Sequence, residues 1–229
     1  MIAIIDYGAG NIFSVKNALD YLGVENKLTA DKNEICASDE IILPGVGAFP
    51  WAMKMLRDSG LVDTIREEAR KKPFLGICLG MQLIFDKGYE FEETDGLRLI
   101  GGKVEKIDRK NMIIPHMGWN ELEINRDCPI LKSLPEHPYV YFVHSYAAVC
   151  DDANVSAYCD YGGKITALVH DGAYVYGAQF HPEKSGEVGH PVCCIPRHIQ
   201  RGRPRPLCPQ TLFPSLPYRH GHQGRVLFF

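Results

Sequence analysis

Short apolar runs that end in glycine-bearing turns and lead into residues at helical spacing constrain this chain more than any other feature. Met1–Ile5 is one such run, and Asp6-Tyr7-Gly8-Ala9-Gly10-Asn11 is the turn behind it. Ile12, Val15, Leu19 and Leu22 then recur at helical spacing, up to a stop at Gly23. Glu40–Leu43 is a second run, closed by Pro44-Gly45-Val46-Gly47 and followed by amphipathic stretches over 49–57 and 61–71. Pro73–Ile77 is a third, and Leu79–Phe85 opens a helix directly behind it. Strands that read as unbroken apolar runs are buried on both faces, and strands joined by helices lie parallel. The pattern predicts an α/β fold with a mixed, largely parallel central sheet and flanking helices. Residues 103–107, 120–124, 139–149, 166–170 and 174–179 are also strand-like, with Asp171-Gly172 as a hairpin turn. They predict a β-rich, more antiparallel second half.

The 229 residues suffice for one full-sized domain. A hydrophobic fraction of 45% with 23% charged residues excludes collagen, coiled coil and wholesale disorder. No apolar run is long enough to cross a bilayer. Asp6 cuts the first run short and no basic segment precedes it, so no signal peptide is expected. The eight cysteines form no CxxC pair and read as reduced thiols of a cytoplasmic protein.

Charge divides the chain. Residues 190–229 hold six Arg, no Lys and no acid, a charge of +6, against −9 for residues 1–189. They also hold seven of the 15 Pro. We therefore expect a domain over 1–189 and a Pro/Arg-rich tail over 190–229, either a disordered extension or the product of a shifted reading frame. Cys193, Cys194, His198, Cys208, His220 and His222 have the spacing of no zinc finger, so no metal is expected. The tail arginines are barely interleaved with aromatics, which argues against a nucleic-acid arm.

Gly76-Ile77-Cys78-Leu79-Gly80 lies between a strand and a helix and has the form of a nucleophile elbow with Cys in place of Ser. The small neighbours let backbone pass closely, and a thiol at a helix N-terminus is favoured as thiolate. The Leu79 N–H is then free for an oxyanion. His181-Pro182-Glu183 follows a strand, and residues i and i+2 of an extended segment share a face, so His181 and Glu183 can reach one site together. Thiol, imidazole and carboxylate would act as nucleophile, base-then-acid and orienter. Pro44–Gly47 can aim backbone N–H groups at an oxyanion, but no Gly-Lys-Ser/Thr follows it as in a phosphate loop. Gly8-Ala9-Gly10 carries Phe13 where a dinucleotide fingerprint has its third glycine, so no cofactor is expected.

Taken jointly, these motifs make the chain resemble the triad-type, or class I, glutamine amidotransferases. More narrowly it resembles the glutaminase subunits of histidine biosynthesis. The segments that carry the likeness are Asp6–Ile12, Leu43–Ala48, Gly76–Gln82, Pro115–Asn120, Tyr141–Tyr146 and Gln179–Ser185, in order across 1–189. The resemblance implies that Cys78 attacks the glutamine side-chain amide, with His181 as base and acid and Glu183 orienting it. It implies an oxyanion hole from the Gly47 and Leu79 N–H groups, after reorientation of the Pro44–Gly47 turn. It assigns glutamine to Gly45, Gln82, Glu90, His144, Ser145 and Tyr146. Asn11, Trp119, Tyr141 and Lys184 match the face that docks on a (β/α)8-barrel cyclase subunit, which receives the ammonia and makes imidazole glycerol phosphate and an aminoimidazole carboxamide ribotide. Other readings are a triad amidotransferase of another pathway, a stand-alone γ-glutamyl hydrolase, or a catalytically dead docking subunit. In the family a last amphipathic helix packs on the sheet. Here the pattern stops at His190, and Pro191 is the first of seven prolines, so an exposed apolar sheet face is the expectation.

Overall fold

In a computed structural model of the chain, residues 1–108 and 112–193 are described. The first half runs β1 (Ile2–Ile5), α1 (Ile12–Tyr21), β2 (Asn26–Thr29), α2 (Lys32–Ala37), β3 (Glu40–Gly45), α3 (Phe49–Asp58), α4 (Val62–Glu68), β4 (Phe74–Cys78) and α5 (Leu79–Leu83). The second half runs β5 (Lys87–Gly88), β6 (Thr94–Asp95), β7 (Gly102–Lys106), β8 (His116–Glu121), β9 (Glu123–Ile124), β10 (Tyr139–His144), β11 (Tyr146–Cys150), β12 (Val155–Asp160), β13 (Lys164–His170), β14 (Val175–Ala178) and α6 (Gly186–Cys193).

The central sheet has the order β2-β1-β3-β4-β14-β13-β12-β9. Its β2-β1-β3-β4-β14 part is parallel, and β14-β13-β12-β9 is antiparallel. The mixed, largely parallel sheet expected from the alternation is therefore present, as is the β13–β14 hairpin through Asp171-Gly172. Side chains alternate across a strand, so a sheet covered on both sides needs two cores. Ile2, Ile4, Ile42, Leu75, Ile77 and Tyr176 face one core, under α1, α6 and β10. Ile5, Ile41, Leu43, Phe74 and Val175 face the other, under α2 to α5. Two smaller sheets, β10-β8 and β11-β7-β5-β6, stand beside the main one.

Three expectations need correction. The strand-like stretch 139–149 is two strands in different sheets, broken at Ser145. The stretch 120–124 begins earlier, at His116, and breaks at Leu122, which is buried. The pattern also does not stop at His190. α6 runs through His190 and Pro191 to Cys193, because Val192 and Cys193 are fully buried and Val188 packs partly on the same core. These apolar contacts outweigh the cost of a proline inside a helix, about 3 kcal/mol. Gly189 permits the approach, since a Cβ there would lie 2.0 Å from the Pro182 carbonyl oxygen. The sheet face expected to be bare is thus partly covered by α6. The expectations for the tail from residue 194 onward lie outside the described residues.

Candidate functional site

The C-terminal ends of β1, β3, β4 and β14 open on one edge of the sheet, where ligands of open α/β sheets bind. That edge collects Asp6–Asn11, Gly45–Gly47, Cys78 and Gln179–Glu183.

Cys78 ends β4 and immediately precedes α5, with φ +53° and ψ −110°. A non-glycine residue held there is strained, which marks the elbow expected from the sequence. The flanking glycines explain how the turn closes. A Cβ on Gly80 would stand 1.8 Å from the Leu43 carbonyl oxygen, and one on Gly76 would stand 2.6 Å from the Gly80 carbonyl oxygen. Leu79 is the first residue of α5, so its N–H has no partner within the helix. Gly45 pairs with Cys78 across β3–β4. Val46 and Gly47 therefore lie beyond the thiol, both exposed, with Gly47 at φ +99° and open space around it.

His181 and Glu183 meet, although not as neighbours on a continued strand. β14 ends at Ala178, and Pro182–Lys184 forms a single turn of 3-10 helix behind His181. That turn brings Glu183 Oε1 to 2.8 Å from His181 Nδ1, with the two side chains 1% and 3% exposed. His181 Nε2 is buried with no hydrogen-bond partner of normal geometry. Burial alone would lower the imidazole pKa. The nearby Cys78 sulfur and the Glu183 carboxylate outweigh it and raise the pKa from 6.5 to about 9. Thiol, imidazole and carboxylate are thus brought together. Burial, and secondly the Cys78 charge, also push the Tyr7 hydroxyl up, and that hydroxyl donates to the Pro44 carbonyl at 3.1 Å.

Of the residues that the resemblance assigns to glutamine, Gln82, Glu90 and His144 each converge on Tyr146. Gln82 is buried on α5, and its Nε2 donates to the Tyr146 carbonyl at 2.9 Å and to Gln179 Oε1 at 3.0 Å. Glu90 accepts the Phe49 N–H at 2.7 Å, and after burial its charge is the second cause that raises the pKa of Tyr146, so it borders both α3 and β11. His144 ends β10, and Ser145 and Tyr146 carry the chain into β11. Burial holds His144 neutral, with its pKa down to about 4.

Trp119, Tyr141 and Lys184 share a second face. Trp119 is 54% exposed and meets the Tyr141 ring edge-on at 5.9 Å, and Lys184 Nζ sits 6.0 Å over that ring. The His181 N–H donates to the Tyr141 carbonyl at 2.9 Å, so this face joins the candidate triad directly. Asn11 precedes α1, and its Oδ1 accepts from Ser14 Oγ at 2.8 Å.

Two contributors were missed in the sequence. Gln179 Nε2 lies 3.9 Å from Cys78 Sγ, and His116 Nδ1 lies 3.0 Å from His144 Nε2. Gln179 is two residues before His181, and that period-two spacing was the available signal. Among the described residues no group of His, Cys, Asp and Glu could hold a metal ion.

The fold and the arrangement at this edge are those of an α/β domain built around a cysteine elbow with a buried His–Glu pair beside it. The sequence model of the family described as glutamine amidotransferase class-I matches residues 3–193, and the chain belongs to that family. It is 52% identical over 190 residues to the imidazole glycerol phosphate synthase subunit HisH of Bacillus cereus (strain G9842), covering 82% of this chain and 90% of that one. It is 48% identical over 191 residues to the protein of the same name from Listeria monocytogenes serotype 4a (strain HCC23), covering 82% and 91%. Among solved structures, one described as a glutamine amidotransferase superposes with TM-score 0.66 at 21% identity, covering 82% of this chain and 94% of that one. PurLQS from Thermotoga maritima superposes with TM-score 0.65 at 22% identity, covering 83% and 94%. These two show a shared fold.

Proposed function

We propose that this chain is the glutaminase subunit of an imidazole glycerol phosphate synthase in histidine biosynthesis. The observation that carries the reading is Cys78, strained at a strand–helix elbow beside the buried His181–Glu183 pair, in a chain about half identical to proteins of that name. The Cys78 thiolate attacks the side-chain amide carbon of glutamine. The Leu79 and Gly47 N–H groups receive the developing oxyanion, the latter as the exposed turn reorients. His181, an imidazolium at neutral pH, gives its proton to the departing ammonia. A γ-glutamyl thioester remains on Cys78. Neutral His181 then takes a proton from water, hydroxide displaces the sulfur, and glutamate leaves. Glu183 holds the imidazole tautomer at Nδ1 throughout.

Gly45, Gln82, Glu90 and residues 144–146 shape the glutamine pocket. Asn11, Trp119, Tyr141 and Lys184 dock a (β/α)8-barrel cyclase subunit, which takes up the ammonia. The six described cysteines are thiols, and no described helix is long and apolar enough to cross a membrane. Both fit a cytoplasmic biosynthetic subunit. The test is glutamate release from glutamine, with and without the cyclase subunit of the Bacillus cereus relative and its nucleotide ligand. Stimulation by the pair is expected. Hydrolysis that ignores the cyclase would mark a stand-alone γ-glutamyl hydrolase or another pathway.

A further inference from the structure

A continuous run of hydrogen bonds links β8, the strand that bears Trp119, to the sulfur of Cys78. Asn120 Nδ2 donates to the Asp160 carbonyl at 3.1 Å, and the Asn120 amide holds His116 Nε2 at 2.8 Å. His116 Nδ1 meets His144 Nε2 at 3.0 Å, and His144 Nδ1 meets the Tyr146 carbonyl at 2.8 Å. Gln82 joins that carbonyl to Gln179, and Gln179 Nε2 reaches Cys78 Sγ.

We propose that His116 is a positioning residue for the glutamine pocket, holding the orientation of the His144 ring and thereby the 144–146 segment. The assignment rests on the glutaminase reading above. The protons leave one consistent arrangement at the centre of the run. A carbonyl only accepts, so His144 Nδ1 carries the proton. Neutral His144 then offers Nε2 as an acceptor, and His116 Nδ1 is its donor. The Asp160 carbonyl takes the Asn120 nitrogen, so the Asn120 oxygen is the atom that faces His116 Nε2. The His116 ring has no freedom to turn. It is fully buried and stacked between Tyr161, at 3.9 Å, and Phe142, at 4.8 Å, each tilted by 19°. β8 and β10 pair in register at His116–His144, and three steps along each strand the same ribbon presents Tyr141 and Trp119, themselves paired. A partner pressing on Trp119 thus acts on the strand that holds His144 in place.

Two variants of the full chain test this. His116→Phe keeps the stacked ring and removes both nitrogens. His116→Asn restores a donor near the Nδ1 position. The readout is the rate of Cys78 labelling by an electrophilic glutamine analogue as a function of its concentration. The half-saturating concentration should rise about tenfold in His116→Phe, the worth of one net hydrogen bond. It should return to within about threefold of the parent in His116→Asn, with both melting temperatures near the parent's. Labelling of His116→Phe that matches the parent, or no recovery in His116→Asn, would overturn the assignment. Imidazole nitrogen NMR separates the two levels of the argument. The parent should show His144 protonated at Nδ1, and in His116→Phe the His144 Nε2 signal should shift as it loses its donor; an unchanged Nε2 signal refutes the proposal. A parent that never labels while its His144 signals behave as described refutes the glutaminase reading and leaves the role of His116 in holding His144 standing.

Discussion

Replacing Gly80 with alanine tests the elbow most severely. The added Cβ would lie 1.8 Å from the Leu43 carbonyl oxygen, 2.9 Å from the Leu43 carbonyl carbon and 3.3 Å from that of Pro44. Carbon–oxygen contacts settle at about 3.3–3.6 Å, so α5 and β3 must part by about 1.5 Å. β3 cannot yield alone, because it is bonded to β1 on one side and β4 on the other. α5 must therefore move outward and carry Leu79 and Cys78 with it. Overpacking against fixed backbone costs about 3 kcal/mol, which lowers the melting temperature of a domain this size by about 6–12 °C. Misplacing the nucleophile by about 1 Å costs about 100-fold in reaction rate. Gly23→Ala is the control. Its φ of +66° brings strain of about 1–2 kcal/mol, but a Cβ there meets nothing within 4 Å and lies far from the thiol. Thermal unfolding and Cys78 labelling on the same samples decide the matter. A Gly80→Ala chain that melts within about 2 °C of the parent and labels within about threefold would refute the close-packed elbow.

Glu183→Gln removes the carboxylate from His181 Nδ1, so the His181 pKa should fall from about 9 and glutamine hydrolysis should drop by about 100-fold or more, read from pH–rate profiles of both proteins. The folded-state pKa of His181 lies above 6.5, so its protonation stabilises the fold fully below about pH 6.5 and that contribution disappears as pH rises through about 9. Melting temperatures across that window should therefore fall more steeply in the parent than in His181→Ala. Lys72 is buried and donates to the Ile35, Cys36 and Ser38 carbonyls while pairing with Glu68 at 2.8 Å, so Lys72→Met should destabilise by about 3 kcal/mol in urea unfolding. Glu68 itself is held below the ordinary carboxylate range; its burial opposes this, and the Lys71 and Lys72 partners outweigh the burial. Its contribution is present at neutral pH and should be lost as pH falls through that range, in the parent but not in Glu68→Gln.

The parts of the fold legible in the sequence are those whose two faces are both buried. β1, β3 and β4 are unbroken apolar runs because a core lies on each side of them. β2, by contrast, is an edge strand whose residues are mostly accessible, and Asn26-Lys27-Leu28-Thr29 shows neither an apolar run nor clean alternation. The break at Ser145 was hidden because no glycine or proline marks it; the chain changes sheet there through pairing with β8 on one side and β7 on the other. α6 was hidden by Pro191, whose local cost is offset by burial of Val192 and Cys193 against residues far away in sequence. The same holds at the site. Cys78, His181 and Glu183 announced themselves because elbow and triad chemistry demand particular residues at short spacing. Gln179 and His116 did not, since their parts come from contacts with Cys78 and His144 across long stretches of chain.

The most direct test of the account is the mass of the intact chain after exposure to an electrophilic glutamine analogue. The account predicts one adduct, on Cys78 and on none of the other thiols, absent in Cys78→Ala and strongly slowed in His181→Ala. A folded chain that takes up no adduct, or takes it elsewhere, would contradict it.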